Sequence, residues 1–499
     1  MKKFSIIVIL FSAVFAPSLF AAKTGGTLTF ARYQEPLTLD PFIPADNGSI
    51  WALEQICDSL TEPGDTGNEL VPGLAESWDI SEDGLTYTFH LREATHGNGD
   101  PVTASDAHFS ITKISDPNTA YGFVFDPVET MEVLDSRTLR IKLKHKYSPL
   151  ASGISLFSAA VVSQKAYEAD PEGFGENPTC SGAFLVESFK RGDRLVLVAN
   201  ENHWDGRPYL DRVEMLYIPE GNARVIGLKS GDYDVITGVP YSQAKDIGST
   251  AGLNLEVQTI FKLDYVYLNH DAAPINNKDI RLALNYAANK DVIMKAVYFG
   301  YGEIPNGYMP KMMFTDPDVE PIPYDMAKAK ELVAKSYDGT KIELNIDAGN
   351  APSKQIATIL QQGWTEAGLN VEIVEADGGT NWGKIEKGDY QATVSYITSD
   401  INDDDELAIL QADYTGGAKA FYTNYNNPEV TSILRKAREE SVPAERAKLY
   451  SQAQEIVVWD GYSVPLNYTP AMNAYHDHVK GWRNLTTGWW WLRDVWLDK

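Results

Sequence analysis

The chain has 499 residues, a length that predicts about three domains. Its 43 basic and 69 acidic side chains give a formal charge of −26, which argues against nucleic acid or an anionic membrane as a partner, because both attract cationic proteins. Hydrophobic residues make up 43% of the chain and can form a large buried core, so general disorder is excluded.

The N-terminus has the organisation of a secretory signal peptide. Two lysines follow Met1, an apolar run covers residues 4–20, and the small residues Ala21 and Ala22 come next. We expect this segment to direct export and to be cleaved after Ala21. A membrane anchor is the alternative, but Pro17 interrupts the apolar run near its end, and no later run is long enough to span a bilayer. No cysteine lies at the cleavage site, so we expect no lipid anchor there.

The first half of the chain after this segment mixes short strands with amphipathic helices. Apolar residues recur with helical spacing over residues 49–60. Period-two alternation of apolar and polar residues, with turn residues at the ends, predicts strands. These strands are expected at residues 26–31, 85–91, 138–143 and 194–199.

From about Lys262 the pattern changes to helices that alternate with strands. Helices are predicted over residues 279–288 and 353–367, and strands over 341–346 and 371–374. Such α/β units indicate a second lobe with a mixed sheet. The C-terminal residues 475–496 have strand and turn character, and we expect them to return to the first lobe.

The chain contains two cysteines, Cys57 and Cys180. An oxidising compartment would permit a disulfide between them, and two buried free thiols are the alternative. Either arrangement is structural rather than catalytic.

Motifs for catalysis or metal binding are absent from the sequence. It contains no phosphate-binding loop, no H-E-x-x-H and no G-x-S-x-G. The acidic run at residues 400–406 fails the calcium-loop pattern, because Asp405 stands where glycine is required and Gln411 where glutamate is required. A pair of glycosidase carboxylates cannot be selected from 69 acids. We therefore predict no catalytic residue, no metal ligand and no cofactor.

One long stretch carries a family resemblance. Residues 74–106, LAESWDISEDGLTYTFHLREATHGNGDPVTASD, closely resemble the hallmark segment of the extracellular solute-binding proteins of family 5, which serve peptide, nickel and related ABC importers. The sequence departs from that pattern at His96, Cys57 and Cys180, and the paired departure of the two cysteines favours a disulfide. Further matching segments follow in the family's order at residues 39–41, 177–184, 200–204, 224–234, 280–287, 464–466 and 479–481.

The resemblance implies a bilobal α/β periplasmic-binding-protein fold, in which two mixed lobes close around a ligand by a hinge. It also implies a periplasmic monomer that docks on an inner-membrane ABC permease. The implied boundaries are a signal peptide at 1–21, lobe I at 22–64, an inserted subdomain at 65–178, lobe I again at 179–261, lobe II at 262–470 and a return to lobe I at 471–499.

The resemblance also implies where a ligand amine would bind. In peptide-binding members, a stretch that begins with tryptophan and ends in Asp-Pro supplies an aspartate for the ligand's α-ammonium. The matching stretch places Tyr396 on the tryptophan, Asp403 on the aspartate and Asp404 on the proline. A fixed carboxylate is suited to a desolvated ammonium, because charge-assisted hydrogen bonds are about twice as strong as neutral ones. A solvated acidic loop is the alternative for this run.

Other residues are candidates for the remaining walls of the pocket. Trp382 matches an aromatic residue often found near the ligand, and Arg32 at a strand end is a candidate partner for a ligand carboxylate. The full set of expected ligand-binding residues is Arg32, Tyr33, Asn47, Ser49, Trp382, Tyr396, Asp400 and Asp403.

The sequence thus predicts a receptor for peptides or similar amine-bearing solutes. An oligosaccharide, an opine-like compound or a nickel chelate would be alternative ligands for the same fold. A secreted hydrolase is the alternative from a different class.

Overall fold

A computed structural model describes residues 22–43, 46–64, 69–116, 119, 121–311, 318–415 and 422–499. The expected signal segment lies outside these residues. Within them, no helix has the length and apolar character needed to cross a membrane. Short 3₁₀ turns lie at Gly122–Phe125, Phe157–Ala159, Phe174–Glu176 and Leu492–Asp494.

The α-helices are numbered in chain order. They are α1 Asn47–Ile56, α2 Ala104–Ile114, α3 Leu150–Gly153, α4 Gln164–Ala169, α5 Gly221–Ser230, α6 Tyr241–Gly248, α7 Lys278–Tyr286, α8 Lys290–Ala296, α9 Met326–Ser336, α10 Ala351–Glu366, α11 Gly378–Lys387, α12 Asp404–Ala412, α13 Pro428–Glu439 and α14 Pro443–Trp459.

The strands are numbered in the same way. They are β1 Thr27–Arg32, β2 Thr61–Pro63, β3 Leu70–Pro72, β4 Ala75–Ile80, β5 Thr86–Leu91, β6 Val128–Asp135, β7 Thr138–Leu143, β8 Phe184–Lys190, β9 Arg194–Ala199, β10 Arg212–Tyr217, β11 Val235–Thr237, β12 Leu253–Gln258, β13 Lys262–Leu268, β14 Ile342–Asp347, β15 Val371–Ala376, β16 Ala392–Thr398, β17 Ser463–Tyr468, β18 Ala471–His476, β19 Val479–Lys480 and β20 Trp496–Leu497.

Seven strands form the sheet that we call the first sheet, in the order β12-β18-β11-β1-β10-β9-β8. The strand β1 lies inside this sheet and pairs in parallel with both β10 and β11. It suits that place because Leu28, Phe30 and Ala31 are fully buried. The late strand β18 lies between β11 and β12, so the C-terminal part of the chain does return to this sheet.

Five strands form the second sheet, in the order β15-β14-β16-β13-β17. Helix α10 connects the parallel strands β14 and β15, and it buries Ile356, Leu360 and Trp364 against them. Gly368 follows this helix with a φ of +102°, a left-handed conformation that glycine adopts without strain. The mixed α/β character predicted for this half of the chain is confirmed.

Two short connections join the sheets. Residues 259–261 lead from β12 to β13, and residues 469–470 lead from β17 back to β18. A separate antiparallel sheet, β4-β5-β7-β6, is formed by chain that lies between α1 and β8. Strands β5 and β7 alternate buried and more exposed residues, as their sequences predict. The domain boundaries given above stay a prediction.

The two cysteines are joined in the disulfide that the sequence favours, with an S–S distance of 2.06 Å. Cys57 is the residue that directly follows α1, and both cysteines are buried. The backbone N–H of Gly182 donates to the carbonyl of Ile56 at 2.9 Å, so hydrogen bonding and the disulfide connect the same two segments. The C-terminal end of α1 is therefore fixed to the chain that leads into β8.

Replacing both cysteines, in the variant Cys57→Ser/Cys180→Ser, should lower the free energy of unfolding by about 4–5 kcal/mol in the chain-entropy estimate. The reason is that the bridge closes a loop with a sequence separation of 123 residues, which restricts the unfolded chain. Urea unfolding of the variant, compared with the oxidised wild type, measures this difference. Wild type reduced with dithiothreitol should behave like the variant; equal stability of all three samples would contradict the structural role.

Candidate functional site

The second sheet meets helix α1 at the end of β16. We call residues 399–403, which follow that strand, the exit segment. Its Ile401 is buried in the same apolar cluster as Ile50 and Trp51 of α1. The side chain of Asn47, the first residue of α1, lies 3.4 Å from Oγ1 of Thr398, the last residue of β16. The end of β16, in the second sheet, thus contacts α1, a helix that packs against β8 of the first sheet.

The carboxylate of Asp400, in the exit segment, lies at this contact. Only one of its two oxygens is hydrogen-bonded within the described part of the chain. The residue is 6% exposed, and Oδ2 accepts a hydrogen bond from the hydroxyl of Tyr121 at 2.9 Å. Its other oxygen, Oδ1, is buried and has no hydrogen-bond partner within the described part of the chain. A buried carboxylate oxygen without a partner is costly, so this atom is available for a ligand donor.

A second carboxyl group lies next to Asp400. Oε2 of Glu406 accepts hydrogen bonds from the hydroxyl of Ser399 at 2.6 Å and from the backbone N–H of Asp400 at 3.2 Å. Burial raises the pKa of Asp400 to about 6, although the hydrogen bond from Tyr121 opposes that rise. Burial, and then the charge of Asp400, raise the pKa of Glu406 to about 8. At pH 7 Glu406 therefore keeps its proton, whereas Asp400 is mostly ionised and carries the negative charge of the pair.

Aromatic and basic side chains form another part of the contact. The ammonium of Lys262, at the start of β13, lies 4.7 Å from the ring centre of Tyr396 and 3.2 Å from Oδ1 of Asp264. Tyr33, just after β1, is an electrostatic neighbour of both Lys262 and Tyr396. Tyr396 nevertheless remains 42% exposed, so its ring is accessible at the junction of the two sheets.

The structure gives Arg32 a different role from the one that the sequence suggested. Its guanidinium is buried between the rings of Trp51 and Trp490, at 5.6 and 5.0 Å from their centres. It donates to the carbonyls of Asn47 and Gly48, both at 3.3 Å. Burial lowers its pKa to about 10. Arg32 thus supports the start of α1, and its contact with a ligand carboxylate stays a prediction.

Ser49 also contributes to the start of α1. Its hydroxyl accepts from the backbone N–H groups of Leu37 and Thr38 and donates to Asp46 at 2.8 Å. Asp46 in turn accepts from the backbone N–H of Ser49, which caps the helix. The hydroxyl of Ser49 is therefore engaged within the protein. A role of Ser49 in ligand binding stays a prediction.

Trp382 lies in α11 and is 38% exposed. Its ring meets that of Tyr422 edge-on, with the ring centres 5.6 Å apart. The described contacts do not bring Trp382 together with Asp400 or Tyr396. That Trp382 lines the ligand pocket remains a prediction.

Asp403 is bound to Arg446 of α14 through both carboxylate oxygens, each at 2.7 Å, and both side chains are buried. Asp403 also caps α12, because Oδ1 accepts from the backbone N–H of Asp405 at 2.9 Å. The acids that follow form the first turn of that helix, where the helix dipole stabilises negative charge. The acidic run is therefore buried rather than a solvated loop. The ammonium-binding role of Asp403 stays a prediction, and a ligand would have to displace Arg446.

Four residues at the contact were not among the sequence candidates: Glu54, Tyr121, Lys262 and Glu406. Glu54 could have been singled out from the sequence, because it is the sole charged residue in the helix sequence NGSIWALEQI. Tyr121 could not have been singled out, since it lies 279 residues from Asp400 in the chain.

A family model described as "Bacterial extracellular solute-binding proteins, family 5 Middle" matches residues 69–419. Heme-binding protein A of Haemophilus influenzae is 27% identical over 494 residues, which cover 92% of this chain and 90% of that protein. The probable D,D-dipeptide-binding periplasmic protein DdpA of Escherichia coli is 28% identical over 487 residues, which cover 93% of each.

Solved structures show the same architecture. The ABC transporter-associated periplasmic binding protein DppA from Helicobacter pylori, in complex with the peptide STSA, is 25% identical and superposes with a TM-score of 0.87. The match covers 96% of this chain and 99% of that one. The bilobal α/β fold that the resemblance implied is therefore confirmed.

Replacing Asp403 by asparagine should lower the free energy of unfolding by about 3–5 kcal/mol, because Arg446 would be left buried without its counter-charge. Urea unfolding without ligand measures the loss. The matched control is Lys448→Met, which breaks the exposed pair with Glu445 and should cost less than about 1 kcal/mol. An Asp403→Asn variant as stable as the control would refute the structural role of this pair.

Proposed function

The chain belongs to the bacterial extracellular solute-binding proteins of family 5, and from this premise we propose that it captures a peptide or a similar amine-bearing solute between its two lobes. The solute is released unaltered to a membrane permease. The D,D-dipeptide-binding relative and the Helicobacter protein bound to a peptide support this ligand class.

One observation carries the proposal: the carboxylate of Asp400 is buried at the contact between the lobes, and its Oδ1 has no partner within the described residues. A ligand ammonium supplies the missing hydrogen-bond donor and the missing positive charge together. A neutral oligosaccharide would supply no such charge. The exposed ring of Tyr396 gives an amphipathic wall two residues before Thr398, which contacts α1.

The same contact explains how capture is coupled to closure. Asp400 follows a strand of the second sheet, Tyr121 precedes β6 of the four-stranded sheet, and α1 belongs to the chain around the first sheet. A solute that binds across these elements stabilises the arrangement in which they are close. We further propose that residues 1–21 direct export, that the protein acts as a periplasmic monomer without a lipid anchor, and that the domain boundaries given above hold.

A library of unmodified dipeptides and tripeptides should raise the melting temperature of the wild type, and the same library acetylated at its N-termini should not. Acetylation removes the α-ammonium but leaves the side chains in place. Asp400→Asn should weaken binding of the best peptide at least about tenfold, since it removes a charge-assisted hydrogen bond.

The control for this experiment is Asp291→Asn, a change at an exposed position in the first turn of α8. Mass spectrometry of the same samples should find the peptides intact. An equal thermal shift with the acetylated library would show that the protein does not recognise the α-ammonium. Release of peptide fragments would overturn the receptor function.

Peptide affinity should fall as the pH decreases from 7 to 5. Burial raises the pKa of Asp400 to about 6, so this carboxylate takes up a proton within that range and loses its attraction for an ammonium. For a single group with this pKa, the ionised fraction falls about tenfold between pH 7 and pH 5, and the peptide affinity should fall by the same factor. Calorimetry with the best peptide of the library measures this decrease. Asp400→Asn should abolish the dependence; a wild-type affinity that rises toward pH 5 would contradict the sign.

A further inference from the structure

Glu54 is an acid at the lobe contact for which the described part of the chain provides no cation. It lies in α1, is partly buried, and makes no hydrogen bond or ion pair with any residue that the structure describes. It is seven residues after Asn47, so the two side chains lie on the same face of the helix, two turns apart. Asn47 contacts Thr398 at the end of β16. The face that carries Glu54 is therefore the face that meets the exit segment.

The electrostatic surroundings of Glu54 place it opposite Asp400. Burial raises the pKa of Glu54 well above its usual value, and the largest contribution from a charged neighbour is that of Asp400. Glu62 and Asp58 contribute in the same direction. All three neighbours are acids, so Glu54 and Asp400 repel each other when both are ionised.

Two of these acids already have partners inside the protein. Glu62 pairs with Arg493 at 3.2 Å. Asp58 accepts hydrogen bonds from Ser181 and from the indole N–H of Trp204, both at 2.9 Å. Glu62 leaves its buried Oε1 without a hydrogen-bond partner in the described chain, but its charge is paired with Arg493. Glu54 and Asp400 differ in charge pairing, because neither makes an ion pair with a described residue, and Oδ1 of Asp400 also has no hydrogen-bond partner there. The unmet need for positive charge is therefore concentrated on these two side chains.

A metal ion does not account for this arrangement. No group of three histidine, cysteine, aspartate or glutamate side chains among the described residues is placed to hold one. Tyr121 and Glu406 are the other titratable groups that face Asp400. Neither carries a positive charge. An organic cation with nitrogen donors fits such separate carboxylates better than a compact hard ion does.

We propose that Glu54 and Asp400 together bind a solute with two cationic groups, namely a peptide whose first residue is arginine or lysine. The inference rests on the proposed function, because it places the ligand's α-ammonium at Asp400. Glu54 then receives the side-chain guanidinium or ammonium. Each carboxylate meets one charge, and the repulsion between them is relieved in the complex.

The test compares arginyl-alanine with citrullyl-alanine, two dipeptides of nearly the same shape that differ by the charge of the first side chain. Calorimetry at pH 7.5 should give the wild type an affinity at least about tenfold higher for arginyl-alanine. Glu54→Gln should bring the ratio of the two affinities close to one. Asp400→Asn should weaken both peptides, and the exposed control Asp291→Asn should keep the wild-type ratio.

The wild-type ratio needs no variant and tests the inference even if a variant fails to fold. The melting temperature of ligand-free Glu54→Gln should not decrease, because the change removes a carboxyl group without a counter-charge. If Glu54 had a structural role instead, the same change would lower the melting temperature. Equal affinities of the wild type for the two peptides would overturn the inference and leave the proposed function standing. Binding of neither peptide, together with no thermal shift from the library, would overturn both.

Discussion

A carboxylate that is held away from water must meet a cation or keep a proton, and Asp400 is held in that condition. Strand β16 leads into its segment, Ile401 anchors the segment in the apolar cluster around α1, and Tyr121 binds one of its two oxygens. The charge of Asp400 in turn raises the pKa of Glu406 and of Glu54, so the three acids cannot all be ionised without cost. Under the proposed function, a cationic solute removes that cost, so that recognition and the assembly of the lobe contact depend on the same charge.

The fold places this charge where three parts of the chain converge. The sheets are joined by residues 259–261 and 469–470, two connections of a few residues that let one lobe be positioned against the other. Helix α1 forms the opposing surface. It is fixed at its start by the Asp46 cap and by Arg32, and directly beyond its end by the disulfide of Cys57. In the proposed function, this fixed helix and the exit segment that follows β16 are the two preorganised surfaces that the solute contacts.

Local patterns predicted the elements well, because period-two and helical periodicities report which face of a segment is buried. Strands β5, β7 and β9 and helix α10 lie close to their predicted ranges. The site was harder to predict. Asp403 was the favoured acid from its place in a motif, but its partner Arg446 lies 43 residues further along the chain. Glu54 can be noticed in the sequence as the sole charged residue of its helix, but its place near Asp400 follows from the tertiary fold alone.

A crystal structure of the protein with its tightest-binding peptide tests the central claim most directly. The account predicts a ligand nitrogen that carries positive charge at about 2.7–2.9 Å from Oδ1 of Asp400, the usual length of a charge-assisted hydrogen bond. The peptide would contact α1 and the exit segment at the same time. A bound peptide whose cationic groups all lie away from Asp400, with Oδ1 still without a donor, would contradict it.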